Sequence, residues 1–265
     1  MDFSGILLAG GKSKRFGPNK IKIISDGIPL LADQAIKLCF FCNEIIISSS
    51  RENYSFIRRT LEKIKDYGRM LEIPEGVQIP PIKIVLDENI ITENTKSIGP
   101  LAGIYTGLKK SGNDKCLVVA SDMPFISYRL LKLLTDTIKE SPGAGSVIIR
   151  NKKGTEALCG IYSKEYIKII EENIKRGVYK ISKILDGQEV KWMDSKRLRE
   201  EKIDMYNFFN INSREDIKEF VRIYDKGAIG HGTGNLDSRP GKKWKDNFYR
   251  GAGKINIAQT FIIRK

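Results

Sequence analysis

A glycine-rich loop near the amino terminus is the first place where this sequence could bind a ligand. The loop reads LAGGKSKRFG at residues 8–17 and follows a short apolar run at residues 6–9. Its glycines allow the backbone to approach a ligand closely and to present amide groups to an anion. Cationic side chains that can match phosphate oxygens lie in and just after the loop. They are Lys12, Lys14, Arg15 and Lys20.

The loop matches neither of the two best-known phosphate-binding patterns. It lacks the G-x-x-x-x-G-K-[ST] order of the P-loop and the G-x-G-x-x-G order of the dinucleotide fingerprint. From the residues alone, a phosphate site and an ordinary glycine-rich turn therefore both stay open.

A carboxylate at the end of a later apolar run is the second candidate group. Asp122 follows the run at residues 116–120. At a strand's carboxyl end it could hold Mg²⁺ that bridges phosphates, or it could be a turn carboxylate before Met123 and Pro124. The only histidine is His231, so serine or cysteine hydrolase chemistry of the usual kind is disfavoured.

Strands and helices alternate over the first 225 residues and would position these groups. The strands are predicted at residues 6–9, 44–48, 82–86, 116–120, 146–150, 157–162 and 190–193. The helices are predicted at residues 29–41, 54–67, 101–110, 128–139, 164–175, 179–185 and 214–224. This alternation predicts an α/β fold with a mostly parallel sheet covered by helices on both faces.

The joint order of several short motifs resembles the MobA-like nucleotidyltransferase family, which includes the molybdenum cofactor guanylyltransferases. The motifs are the glycine loop with Lys20, GPLAG at residues 99–103, SDMPF at 121–125, EAL at 156–158 and FNINS at 209–213. The resemblance spans residues 5–221 and implies a Rossmann-like, three-layer nucleotidyltransferase fold. It implies an enzyme that transfers GMP from GTP to the phosphate of molybdopterin, releasing pyrophosphate, with Mg²⁺ as the cofactor.

The resemblance also implies roles for individual residues. The nucleotide would be bound by Leu8, Ala9, Gly10, Gly11, Lys20, Ser48, Asp87 and Asp122. Arg15, Lys20 and Asp122 would form the catalytic group, with Asp122 as the metal ligand. Glu156, Asn210 and Asn212 would bind the acceptor. For Glu156 an edge-strand carboxylate is the alternative, and for the two asparagines it is capping of the helix that begins near Arg214.

Three departures from the family's pattern bear on these roles. Ser48 stands where the family often has an asparagine at the end of the second strand, and Ser121 stands where it usually has a cysteine. The segment between Asp87 and Gly99 is longer than usual, which makes the alignment of Asp87 less secure than that of Asp122.

The preference for guanine over cytosine also comes from the resemblance. Related cytidylyltransferases tend to read Leu-Ala-Ala-Gly where this chain has Gly10 in third place, and they lack the GPLAG segment. Two alternatives stay open at this point. One is a nucleotidyltransferase of the same fold with another nucleotide or acceptor, such as a molybdopterin cytidylyltransferase or a sugar-phosphate nucleotidyltransferase. The other is a non-catalytic nucleotide or nucleic-acid binder that uses a basic tail.

The composition sets limits on class and surroundings. The chain has 265 residues and a net charge of +14, which suggests a phosphate-rich partner. Half of that charge, +7, lies in a glycine-rich segment at residues 226–265, where the alternation stops except for a possible strand near residues 255–263. We expect a domain at residues 1–225 followed by a tail.

The cysteines and the apolar runs predict a soluble, cytoplasmic protein. The start of the chain lacks the pattern of a secretion signal, and no apolar run approaches the roughly 20 residues that span a bilayer. We expect the four cysteines to be buried thiols rather than a zinc site. They are Cys39, Cys42, Cys116 and Cys159. The expected partners are GTP and molybdopterin, with proteins of molybdenum cofactor synthesis possible, and neither a membrane nor a nucleic acid among them.

Overall fold

A computed structural model of the chain describes residues 1–10, 20–74, 76–87, 98–152 and 154–225. The predicted tail at residues 226–265 and its possible strand lie outside these residues, so the division at residue 225 stays a prediction.

The described residues form nine strands and nine α-helices. The strands are β1 (Phe3–Ala9), β2 (Ile24–Ser25), β3 (Ile28–Pro29), β4 (Glu44–Ser49), β5 (Ile82–Leu86), β6 (Lys115–Ala120), β7 (Ser146–Asn151), β8 (Gly154–Ser163) and β9 (Val190–Asp194). The helices are α1 (Leu30–Cys39), α2 (Arg51–Glu62), α3 (Ile64–Met70), α4 (Pro100–Lys110), α5 (Tyr128–Lys139), α6 (Tyr166–Lys175), α7 (Ile181–Ile184), α8 (Ser195–Glu200) and α9 (Arg214–Asp225). Short 3₁₀ helices lie at Lys20–Lys22 and Met205–Phe208.

Seven strands form one sheet in the order β5-β4-β1-β6-β8-β7-β9. The pairs on one side of the sheet, β4–β5, β1–β4 and β1–β6, are parallel, as is β7–β9. Only β8 runs against its neighbours, because it follows β7 through a tight connection and inserts between β6 and β7. The predicted mostly parallel α/β fold is confirmed.

The two faces of the sheet bury separate hydrophobic clusters. Alternate residues of β1 show the division, with Leu7 packed on the side of α1 and α5 and Ile6 and Leu8 packed on the side of α4 and α6. Helix α4 lies very close to the sheet, since a Cβ on Gly107 would lie 2.6 Å from the Cγ2 atom of Ile6. Helices thus cover both faces, as a buried parallel sheet requires.

A third cluster joins the last helix to the rest of the domain. Phe125, three residues after Asp122, packs against Phe220 of α9 with ring centroids 5.3 Å apart. Ile23 and Ile211 are buried in the same cluster. Helix α9 therefore packs against segments that follow both β1 and β6.

Two local predictions differ from the structure. The helix predicted at residues 54–67 is two helices, α2 and α3, with Lys63 between them at φ −104° and ψ 9°. The helix predicted from residue 29 begins at Leu30, because Pro29 pairs in the β2–β3 hairpin. That hairpin turns through Asp26 and Gly27, both with positive φ.

The cysteines are confirmed as buried thiols. All four are free. Burial raises the pKa of Cys39 to about 12 and that of Cys116 to about 11, so these thiols are protonated at neutral pH and poorly reactive. Within the described ranges, no helix has both the length and the apolar character needed to cross a membrane.

A buried carboxylate lies at the edge of the sheet where β1 and β4 begin. Glu44, the first residue of β4, accepts hydrogen bonds from Ser4 Oγ at 2.6 Å, from the Gly112 amide and from Lys83 Nζ at 3.1 Å. Burial alone would raise the pKa of Glu44, but these three donors outweigh it and leave the pKa below its ordinary value. The ionised carboxylate therefore links β1, β5 and the segment between α4 and β6.

This arrangement predicts a pH-dependent contribution to stability. Because the folded-state pKa of Glu44 is lowered, its contribution is present above the ordinary glutamate pKa of 4.5 and is lost as the pH falls through the folded-state value. We expect Glu44→Gln to lower the free energy of unfolding by about 1–2 kcal/mol at pH 7. Urea unfolding should show that the stability difference between Glu44→Gln and the unaltered protein is smaller below pH 4.5 than at pH 7. The exposed control Glu172→Gln should change the free energy of unfolding little at either pH. A difference that stays constant with pH would contradict the assignment.

Candidate functional site

The carboxyl ends of four parallel strands meet at one edge of the sheet. Strand β1 lies between β4 and β6, and the chain crosses from β5 over to β6 through α4. The strand order therefore reverses at β1 and β6. In open α/β sheets such a switch point leaves a crevice outside the carboxyl ends of the strands. The residues that follow these ends are Gly10, Ser50, Asp87 and Ser121 with Asp122.

Gly10 and Asp87 are in close contact across this edge. The Asp87 amide donates to the carbonyl of Ser49 at 2.9 Å, which carries β5 one residue beyond its pairing with β4. The Asp87 carboxylate then lies directly against the Cα of Gly10, so a Cβ at position 10 would overlap its Oδ2 atom. Only glycine at position 10 leaves this space for the carboxylate.

Ser48 lies beneath that carboxylate. Its side chain is fully buried, and its Oγ donates a hydrogen bond to Asp87 Oδ1. Helix α4 covers it closely, because a Cβ on Gly103 would lie 2.6 Å from Ser48 Oγ and 2.9 Å from Leu8 Cδ2. Ser48 therefore faces Asp87 and α4 and has no surface open to solvent.

The electrostatics of Asp87 follow from this packing. Burial disfavours the charged carboxylate and raises its pKa, and the hydrogen bond from Ser48 opposes that effect only in part. The pKa of Asp87 is therefore above its ordinary value of 3.8. A ligand that donates hydrogen bonds to the ionised carboxylate would stabilise it and would gain binding free energy in return.

A buried asparagine that the sequence analysis did not identify fixes the end of β1. Asn53, in the first turn of α2, donates from Nδ2 to the Ala9 carbonyl at 2.8 Å. It is only 2% exposed. A polar residue on the buried face of an amphipathic helix was the signal in the sequence. Leu8, one residue earlier, accepts from the Ser121 amide at 3.0 Å and so joins the ends of β1 and β6.

Backbone contacts hold the segment around Asp122 from two further sides. Gln34 of α1 is 1% exposed and donates from Nε2 to the Met123 carbonyl at 3.0 Å. The Ile211 amide donates to the Asp122 carbonyl at 2.9 Å. The position of Asp122 is thus fixed by α1 and by the segment that precedes α9. Gln34 is a second residue that the sequence analysis missed.

Glu156 lies at the same edge of the sheet but in its other half. Strand β8 runs antiparallel to β6, so its first residues lie beyond the carboxyl end of β6. Asn151 donates from Nδ2 to Glu156 Oε1 at 2.8 Å. The pairing of β7 with β8 shifts between Ile148 and Ile149, which places residues 157–159 outside the regular register.

The two asparagines before α9 differ in their contacts. Asn210 donates from Nδ2 to the Phe208 carbonyl at 3.2 Å. The amides of Asn212 and Ser213 both donate to Asp216 at 2.8 Å, and the Asp216 amide donates to Ser213 Oγ at 3.1 Å. Ser213 and Asp216 therefore cap α9, and the backbone amide of Asn212 takes part in this cap.

Part of the predicted phosphate loop lies outside the described residues. This applies to Gly11 and Arg15, and to the side chain of Lys20, whose backbone begins the 3₁₀ helix Lys20–Lys22. In the part of the chain that the structure describes, no three His, Cys, Asp or Glu side chains form a metal-binding group. Mg²⁺ held by a carboxylate such as Asp122 commonly takes its other oxygen ligands from substrate phosphates and water.

Comparisons with known proteins agree on one family. The family model described as "MobA-like NTP transferase domain" matches residues 5–191. A molybdenum cofactor guanylyltransferase from Desulfosudis oleivorans is 25% identical over 227 residues, covering 85% of this chain and 98% of that protein. A probable molybdenum cofactor guanylyltransferase from Thermococcus kodakarensis is 28% identical over 225 residues, covering 83% of this chain and 94% of that protein.

Solved structures share the architecture. The crystal structure of molybdopterin-guanine dinucleotide biosynthesis protein A from Archaeoglobus fulgidus superposes with a TM-score of 0.61 at 24% identity, covering 84% of this chain and 100% of that chain. A 4-diphosphocytidyl-2C-methyl-D-erythritol synthase from Anaerococcus prevotii superposes with a TM-score of 0.55 at 16% identity, covering 82% of this chain and 95% of that chain. At these identities the likeness shows the fold alone.

Proposed function

The chain belongs to the family of MobA-like NTP transferase domains, and from that membership we propose that it transfers GMP from GTP to the phosphate of molybdopterin. The products are pyrophosphate and molybdopterin guanine dinucleotide. The names of relatives that align over four fifths or more of this chain support the reaction. The contact between Gly10 and Asp87 is the structural observation that carries the choice of nucleotide.

A carboxylate at this position suits guanine. The base presents a ring N–H and an amino group side by side, and a carboxylate accepts two such hydrogen bonds at once. Cytosine has a single amino donor beside an unprotonated ring nitrogen, which an ionised carboxylate would repel. We propose that Asp87 recognises guanine by accepting these two hydrogen bonds. Because Ser48 is fully buried, we propose that it positions the Asp87 carboxylate and does not contact the nucleotide itself. Leu8, Ala9, Gly10 and Gly11 would line the nucleotide site.

The triphosphate would bind between the glycine loop and Asp122. Arg15 and Lys20 would neutralise phosphate oxygens, which stabilises both the bound triphosphate and the departing pyrophosphate. Asp122 fits Mg²⁺, since this ion is commonly held by one or two carboxylates together with substrate phosphates. When bound, the ion would supply positive charge that makes the α-phosphate more electrophilic.

The acceptor would occupy the other half of the same edge. Its phosphate is ionised at neutral pH and attacks without a protein base, so the protein's task there is orientation. Glu156 would contact the acceptor, as would Asn210 and Asn212, which flank Ile211, the residue whose amide donates to the Asp122 carbonyl. We place the reaction in the cytoplasm, alongside other proteins of molybdenum cofactor synthesis, and in the domain at residues 1–225.

Calorimetry on the full chain tests the nucleotide assignment. GTP, CTP, ATP and UTP are titrated with and without Mg²⁺, and pyrophosphate release is then followed with molybdopterin as the acceptor. We expect GTP to bind at least about tenfold more tightly than CTP, since the carboxylate accepts its two donors. Release of pyrophosphate should require both GTP and molybdopterin. Equal or tighter binding of CTP would overturn the choice of guanine.

A further inference from the structure

An arginine stacked on a tryptophan lies near the sheet edge that holds the candidate site, in the half proposed to bind the acceptor. The guanidinium carbon of Arg150 lies 3.7 Å from the centroid of the Trp192 ring. Arg150 is exposed, whereas Trp192 is half-buried and packs against the cluster on the α4 and α6 face. The indole therefore gives the flexible arginine a fixed, flat support.

The strand register defines where this pair lies. Strands β7 and β9 are parallel, with Arg150 opposite Asp194 and Ile148 opposite Trp192. Arg150 thus reaches back diagonally across the sheet to Trp192, on the face that also carries Ile148. Arg150 is the penultimate residue of β7, and β7 and β6 both run opposite to β8, so Arg150 lies at the same edge as Asp122.

Among the described residues, the Arg150 guanidinium contacts the Trp192 ring and no carboxylate. In the described ranges no carboxylate forms a salt bridge with it. Some exposed arginines are paired, such as Arg197 with Glu201 at 2.9 Å and Arg222 with Glu219 at 2.6 Å. A supported guanidinium with a free outer face is suited to bind a flat and anionic ligand.

We propose that Arg150, held by Trp192, is the platform on which the planar ring system of the phosphorylated acceptor stacks. This inference rests on the proposed function and extends it to residues that the family resemblance did not identify. Two strand spacings separate β6 from β7, and Trp192 on β9 lies one spacing farther, so the platform is about 10–15 Å from the strand that precedes Asp122. An acceptor whose phosphate lies beside Asp122 would reach the platform only if its ring system and the link to its phosphate together span that distance.

The platform also selects a chemical class of acceptor. A guanidinium stacks on a flat, conjugated ring and gains little from a puckered sugar ring. The pair therefore favours a pterin phosphate over a sugar phosphate, although both carry the same attacking group.

Tryptophan fluorescence gives a direct test on the full chain. The chain has two tryptophans, and Trp244→Phe leaves Trp192 as the only emitter. A synthetic pterin phosphate absorbs where tryptophan emits and should quench Trp192 on binding, and an equal concentration of ribose 5-phosphate should not reverse this quenching by competition. In this background we expect Arg150→Ala to weaken binding of the pterin phosphate about tenfold, the size of one lost stacking contact. Arg150→Lys should restore little, because it keeps the charge without the planar group.

A second cation–π pair on the same face supplies a matched control. Lys109 lies 5.1 Å from the centroid of Tyr105, at the end of α4 that leads towards the opposite edge of the sheet. Lys109→Ala should leave the affinity for pterin phosphate unchanged. An unchanged affinity in Arg150→Ala, or displacement of the pterin phosphate by an equal concentration of ribose 5-phosphate, would overturn the platform.

GTP calorimetry separates this inference from the proposed function. We expect Arg150→Ala to bind GTP like the unaltered protein, since Gly10 and Asp87 lie in the other half of the edge. If GTP binds normally and Arg150→Ala still binds pterin phosphate fully, the platform is wrong and guanylyl transfer stands. If no GTP binds, but pterin phosphate quenches Trp192 and Arg150→Ala weakens that binding, the nucleotide assignment fails and the platform stands.

Discussion

Replacing Asp122 by alanine is expected to lower the rate of guanylyl transfer by about a thousandfold. The variant would lose the one protein ligand proposed for Mg²⁺, and several kcal/mol of charge stabilisation correspond to about three powers of ten in rate. The rate constant kcat should be measured over a range of Mg²⁺ concentrations with GTP and molybdopterin saturating. Asp136→Ala, on the outer face of α5, is the matched control and should keep full activity.

The loss should occur without unfolding. The segment around Asp122 is held through backbone atoms, by the Ser121 amide on Leu8, Gln34 on the Met123 carbonyl and the Ile211 amide on the Asp122 carbonyl. None of these bonds uses the Asp122 side chain. Circular dichroism and thermal unfolding should therefore match those of the control. Turnover within about threefold of the unaltered protein, which is less than 1 kcal/mol, would show that Asp122 does not hold the metal.

The second large effect is expected from Gly10→Ala. The added methyl group overlaps the Asp87 carboxylate, which cannot stay both against position 10 and hydrogen-bonded to Ser48. Displacing a carboxylate that accepts two hydrogen bonds from the base should raise the KM for GTP by about ten- to a hundredfold. The KM for the acceptor should change little, because the acceptor binds in the other half of the edge.

A double-mutant cycle shows whether the effect passes through Asp87. In an Asp87→Ala background the methyl group has room, so Gly10→Ala should add almost nothing to the loss already caused by Asp87→Ala. Gly143→Ala is the control for adding a methyl group, since a Cβ there meets no atom within 4 Å. Additive losses from the two substitutions would mean that Gly10 acts on the nucleotide without Asp87.

The residues at the strand ends were predictable, and the contacts between them were not. Apolar runs that end in glycine or aspartate placed Gly10 and Asp122 at strand ends. The approach of Asp87 to Gly10 depends on the register of β1, β4 and β5, which no short stretch of sequence encodes. Ser48 was predicted as a nucleotide contact from the family resemblance, because it stands where the family often has an asparagine. Its burial under Asp87 follows from the way that α4 packs at Gly103.

Gln34 and Asn53 illustrate a second limit. Each is a buried polar residue of a helix, and each bonds to a backbone carbonyl of a distant segment. The carbonyl partner has no sequence signature, so the pairing emerges only from the tertiary structure. The β2–β3 hairpin escaped prediction for a related reason, since strands of two residues are too short to show an alternating pattern.

The cluster that joins Phe125 to α9 has a consequence for the order in which the domain is assembled. It brings together Ile23 and Ile223, near the two ends of the described chain, and it includes the residue whose amide bonds to the Asp122 carbonyl. Contacts of such long sequence separation form late, and during synthesis they must wait until α9 has left the ribosome. The pocket made by Gly10, Ser48 and Asp87 comes from the first third of the chain. The pocket proposed to bind the base can therefore form first, and the segment around Asp122 is completed only after the last helix has folded.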